Sequence, residues 1–184
     1  MANPSIAFLI FLIKFRYFCL CPMLLLKRGN IFILREGRNK LNQRIEKILS
    51  GFCGTWDLIN EDCSYAFGEP PKAGTYQIKV DKGKVQFHVS WVDKDCKKLQ
   101  VEFSGIPDGI KYPYEENPHV DYVKYGITPV GDFMSIAYKG NLIINEASRV
   151  LSEDGKLLYV TQKVLGSDGE LLANSSVYKR RMRD

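Results

Sequence analysis

The side chains that could do chemistry in this sequence are few and widely spaced. Nucleophilic catalysis needs a Ser, Thr or Cys beside a base, and Ser64, Ser104 and Ser135 lack the sharp glycine-flanked turn that presents a nucleophile. General acid–base work needs paired titratable groups in one cavity. The nearest approach to that is Asp108, Tyr112, Tyr114 and Asp121, gathered around the 111–121 loop. A simpler reading makes Asp108-Gly109 a turn, Pro113 and Pro118 loop stiffeners, and Asp121 a cap on local backbone amides. His88 and His119 are the two histidines, too few for a multi-histidine metal site. His88 falls on the polar face of its segment and His119 in a Pro-flanked loop, so both read as surface groups. Cys19, Cys21, Cys53, Cys63 and Cys96 are odd in number and form no C-x-x-C pair. A reduced, cytoplasmic setting is the simpler reading, with Cys53 and Cys63 as the conceivable bridge in an exported chain. No catalytic constellation, metal site or cofactor site is predicted, and a non-enzymatic protein is expected.

With 184 residues, 45% hydrophobic and 12% aromatic, the chain has enough apolar mass for one domain with a real core. Its net charge of +5 is unevenly placed: residues 1–52 carry +7, which leaves −2 on the remainder. The basic balance therefore belongs to a leader, and no clustered cation on a folded face argues for nucleic acid. The run Lys179, Arg180, Arg181, Arg183 is the other basic cluster, and short runs of this kind are usually solvated.

Three segments follow from the patterning. Residues 1–38 form an apolar and basic extension in which 6–26 is mostly apolar but interrupted by Lys14, Arg16 and Pro22. Each such charge near a bilayer centre costs roughly 2.5–3.5 kcal/mol on insertion scales, so membrane contact through 6–26 is weakly supported. Were it to insert, the cations from Lys27 onward would keep the following domain on the cytoplasmic side. Asn39 to Gly51 places Leu41, Ile45, Ile48 and Leu49 at helical spacing, with Asn at its start and Gly at its end. That predicts a short amphipathic helix over 39–51, suited to plugging one end of a barrel over 52–184.

After Gly51 the period changes from helical to two. Val85, Phe87, Val89 and Trp91 alternate with Gln86, His88 and Ser90, and the same pattern recurs around Tyr76-Ile78-Val80 and Leu99-Val101-Phe103. Further strands are predicted near 55–60, 121–125, 133–138, 142–151, 156–165 and 171–179, about nine in all. Asp81-Lys82-Gly83, Lys139-Gly140-Asn141, Asp154-Gly155 and Asp168-Gly169 supply residues that tolerate positive φ, as tight hairpins require. No connection has room for a crossover helix. An all-β, antiparallel up-and-down meander buries its apolar face by closing into a barrel.

Gly54-Thr55-Trp56, opening the first strand after a short helix, resembles the G-x-W signature of the calycin barrels, lipocalins and fatty-acid-binding proteins among them. The order of Asp108-Gly109-x-x-Tyr112-Pro113, Ser152-x-Asp154-Gly155-Lys156 and Val177-Tyr178-Lys179-Arg180 is similar to small bacterial lipocalin-like proteins of unassigned function. The resemblance spans about residues 50–181 and implies a calycin-like barrel. It also implies that Trp56 closes one end with a late Arg over its ring: Arg180, with Arg149 as runner-up. Departures accompany it. Ser176 stands where a fatty-acid-binding R-x-Y would have Arg, and Gly68, Pro70 and Pro71 exclude a paired-helix lid in 61–73. Neither histidine is placed as an interior haem ligand.

A barrel of this size either fills with side chains or leaves room for one small molecule. The inward candidates Tyr76, Phe87, Trp91, Phe103, Tyr112 and Tyr125 suit a small apolar ligand. They equally suit a plugged core in a structural or interaction domain.

Overall fold

A computed structural model describes residues 43–115, 117–166 and 169–182. The extension over 1–38, its 6–26 stretch, the first residues of the expected helix and Asp168 lie outside the described residues. The helix α1 is seen over 43–52. It buries Leu49 and Phe52 and half-buries Ile45 and Ile48, the face that the spacing predicted. Among the described residues no helix is long and apolar enough to cross a membrane.

Ten strands follow: β1 (Gly54–Tyr65), β2 (Ala73–Asp81), β3 (Lys84–Val92), β4 (Lys98–Gly105), β5 (Lys111–Pro113), β6 (Tyr122–Ile127), β7 (Phe133–Lys139), β8 (Leu142–Leu151), β9 (Leu157–Leu165) and β10 (Leu171–Arg180). They form one sheet in the order β4-β3-β2-β1-β10-β9-β8-β7-β6-β5. Every pair is antiparallel, and the first long strand meets the last through Trp56 opposite Arg180. This is the expected calycin-like meander. The unforeseen tenth strand is β5: three residues ending in Pro113, pairing with β6 alone. Pro cannot donate to a ladder, so such a strand is confined to a sheet edge and leaves little periodic signal.

Turn chemistry sets the register. Lys82 and Gly83 both have positive φ, 49° and 76°, which joins Asp81 to Lys84 by the two-residue mirror-image turn that matches strand twist. In β3, Val85, Phe87, Val89 and Trp91 are buried while Gln86 is exposed, so alternation maps directly onto the inner and outer faces.

The barrel closes differently from the expected edge-free ladder. No ladder joins β4 to β5 among the described residues. The seam is bridged by packing instead: Tyr125 on β6 lies so close to Gly105 on β4 that a Cβ there would overlap its ring. A glycine is needed at that position for the close approach, not for its φ.

Candidate functional site

One end of the barrel is shut. Trp56 is fully buried and donates its indole N–H to the Phe52 carbonyl at 3.0 Å. The Arg180 guanidinium lies 4.0 Å over its ring and donates to the carbonyls of Cys53, Gly51 and Gly155 at 2.8, 2.5 and 2.8 Å. A cation there both stacks on the indole and satisfies orphan carbonyls at the C-terminus of α1. Arg149, the alternative partner for Trp56, is elsewhere.

Above that floor sits an aromatic layer. Phe87 stacks on Phe103 at 4.6 Å and meets Phe133 at 5.3 Å, and Tyr125 approaches Phe133 at 6.2 Å. Arg149 on β8 projects into this layer, 4.8 Å from the Phe87 centroid and 5.7 Å from that of Phe103. It is 3% exposed. Its Nε donates to the Tyr76 hydroxyl at 2.8 Å, and Nη1 donates to the Ser135 hydroxyl at 3.0 Å and the Ala147 carbonyl at 3.4 Å. No carboxylate pairs with it among the described residues, and Nη2 has no partner there.

Beside Arg149 lies a cavity of about 70 Å³. Its wall combines polar Asn145, Gln162, Asn174 and Ser176 from β8, β9 and β10 with apolar Val89, Val101, Phe103 and Val160. Tyr65 and Ser176 share a 2.8 Å hydroxyl–hydroxyl hydrogen bond. The Asn174 amide is used up holding the backbone of Phe67, donating at 3.0 Å and accepting at 3.1 Å. Asn145, 4% exposed, makes no side-chain hydrogen bond within the described residues. Buried polar groups are almost always paired, and within the described residues neither the Nη2 of Arg149 nor the Asn145 amide has a hydrogen-bond partner.

Burial pushes the Tyr65 and Tyr76 phenols up and the Tyr178 phenol well up, keeping all three neutral donors and acceptors at physiological pH. Cys53, Cys63 and Cys96 are free thiols. Burial pushes the Cys53 thiol up as well, away from the thiolate form. Among the described residues no three His, Cys, Asp or Glu side chains gather as a metal site.

The structure disperses the six proposed lining residues. Tyr76 and Phe103 line the cavity. Phe87 and Tyr125 instead fill the layer beneath it, and Trp91, 8% exposed, borders a separate groove near the β3–β4 turn. Tyr112 is on β5 at the seam and donates its hydroxyl to Asp108 at 2.5 Å. Asp108 also accepts from the Ile110 N–H, and Asp121 accepts from the Gly140 N–H and Lys139, so both act as turn and cap residues. His88 accompanies Glu102 at 2.8 Å on the outer face. Sequence reasoning missed Arg149 as a cavity residue, and with it Ser135, Asn145 and the polar wall on β9 and β10.

The strand order and the Trp56–Arg180 closure define a calycin-like fold. No family model matches this chain, and no curated protein matches it. Solved structures do. The zebrafish ileal bile acid-binding protein complexed with cholic acid is 12% identical with a TM-score of 0.45, over 71% of this chain and 99% of its own. An S-type phycobiliprotein lyase from Guillardia theta is 9% identical with a TM-score of 0.49, over 76% and 94%. The siderocalin Ex-FABP is 8% identical with a TM-score of 0.41, over 73% and 76%.

Proposed function

We propose that this protein binds a small molecule inside its barrel, without catalysis, and that the ligand presents an anion to Arg149. The observation that carries this reading is a guanidinium buried to 3% exposure beside a cavity, with no carboxylate partner among the described residues and free N–H groups at Nη2. Holding a charge out of water costs several kcal/mol unless it is paired. A bound carboxylate would supply the pair, accepting from Nη2 and from the Tyr76 hydroxyl, whose own proton has no acceptor within the described residues. The expected apolar ligand thereby becomes an acid, with its carboxylate at Arg149 and the rest of it against Val89, Val101, Phe103 and Val160.

The second reading is a filled barrel that serves as a structural or interaction domain. The cavity volume favours it: about 70 Å³ is well below the roughly 300–1,000 Å³ of ordinary ligand pockets. Isothermal calorimetry on the full chain separates the two, using short and long carboxylic acids beside their primary amides. Binding of an acid, lost in the amide and in Arg149→Met, supports carriage. Absence of binding by every acid supports the filled barrel.

A further inference from the structure

The orphan amide of Asn145 narrows the ligand further, on the reading that Arg149 receives an anion. Arg149, Ala147 and Asn145 are successive inward residues of β8. Because Nη1 of Arg149 bonds Ser135 and the Ala147 carbonyl, and Ser135 faces Ala147 across β7 and β8, the guanidinium has leaned up to the Ala147 level. Asn145 is then one inward layer away, about 6.6 Å along the strand at 3.3 Å per residue. Ala147, at the level of the guanidinium, presents only a methyl group and leaves the space open. The cavity thus has two polar poles without partners among the described residues, one cationic and one amide, one inward layer apart.

Its volume limits what sits between them. About 70 Å³ is near half of the roughly 150 Å³ that encloses benzene, so the space takes a group of a few heavy atoms. The wall also carries the Gln162 amide, which an alkyl tail would desolvate without replacing its hydrogen bonds. We infer that the cavity selects a short carboxylate carrying a second hydrogen-bonding oxygen, a hydroxy or oxo acid, with the carboxylate on Arg149 and the second oxygen on Asn145. An amide both donates and accepts, so either oxygen type suits it.

Calorimetry on the full chain compares glycolate and glyoxylate with acetate, acids small enough for a space of about 70 Å³, and includes dodecanoate. The functionalised acids should bind about tenfold more tightly than their plain counterparts, the value of one well-made buried hydrogen bond. Asn145→Leu should erase that preference while leaving the plain acids bound, and Arg149→Met should abolish all of them. Should Asn145→Leu fail to fold, the Asn145 side-chain amide resonances of the wild-type chain decide the matter: they should shift with glycolate and stay put with acetate. Equal affinity within each pair, tighter binding of dodecanoate, or unmoved amide resonances would overturn the inference while leaving anion binding intact. Failure of every acid to bind would overturn both.

Discussion

Arg149→Met exchanges the buried cation for an apolar side chain of similar length, and its effect on stability should have opposite sign with and without ligand. In the free protein the exchange removes hydrogen bonds to Tyr76, Ser135 and the Ala147 carbonyl. The 3.4 Å bond is weak, and the other two involve hydroxyls that can redirect, so their loss costs about 2–3 kcal/mol together. It also removes a cation seated among aromatic rings, worth about 2 kcal/mol at a desolvated site. Against these stands the relief of an uncompensated buried charge, several kcal/mol, plus favourable burial of the Met side chain among Phe87, Phe103 and Phe133. The balance is a gain of about 1–2 kcal/mol for the variant. Urea unfolding followed by tryptophan fluorescence should show a raised midpoint at unchanged slope. A carboxylate at a hundred times its Kd should then stabilise the wild type by about 2.7 kcal/mol and the variant not at all, reversing their order. Destabilisation of the free variant by more than about 2 kcal/mol would refute the reasoning, because it would make Arg149 a structural keystone already satisfied by its surroundings.

Trp56→Ala should cost about 3–5 kcal/mol in the same urea assay, since it opens a cavity at a fully buried site and strands the Arg180 cation; a loss below about 1 kcal/mol would mean the barrel floor does not depend on it. Gly105→Ala should cost about 1–3 kcal/mol through overpacking against Tyr125 and should speed amide exchange along β4 and β6, whereas unchanged exchange would show that the seam is held otherwise. Hydrogen bonds from the Ser152 hydroxyl and the Lys156 N–H hold the exposed Asp154 carboxyl at about 2, below its ordinary 3.8. A carboxyl depressed in the folded state stabilises above its unfolded pKa and loses that contribution as pH falls through its folded one. Acid unfolding curves should therefore steepen between pH 3.8 and about 2, and Asp154→Asn should flatten that segment, which a fluorescence titration will read.

The fold was far more legible than the site, for a physical reason that particular strands make plain. In β3 one face is apolar and the other polar, so period two names the buried face at once: Val85, Phe87, Val89 and Trp91. The three-residue β5, ending in a proline without an N–H, carries no such signal. In β10 the pattern is inverted above the floor. Ser176 and Asn174 point inward while Val177 and Ala173 point out, so a rule that sends apolar groups to the core picks the wrong face. In β9, likewise, Gln162 lines the cavity while Tyr159 is exposed.

Yet the missing parity was implicit in one sequence-based expectation. If Arg180 packs over Trp56, residue 180 faces in, and alternation then sends Tyr178, Ser176 and Asn174 in with it. The Asp154-Gly155 turn carries the same parity backward: Leu158 pairs with Leu151, which puts Arg149, Ala147 and Asn145 on the inner face. A single aromatic–cation pair therefore determines which side of three successive strands is the interior, and the polar residues found there are those hydrophobicity alone would have assigned to solvent. A barrel that spends inward positions on Arg149 and Asn145 forgoes the core burial that leucine or valine would have contributed there, roughly 1.5–3 kcal/mol each. That loss is concentrated beside one cavity, while the layer beneath is packed with rings, which is the arrangement the proposed anion site requires.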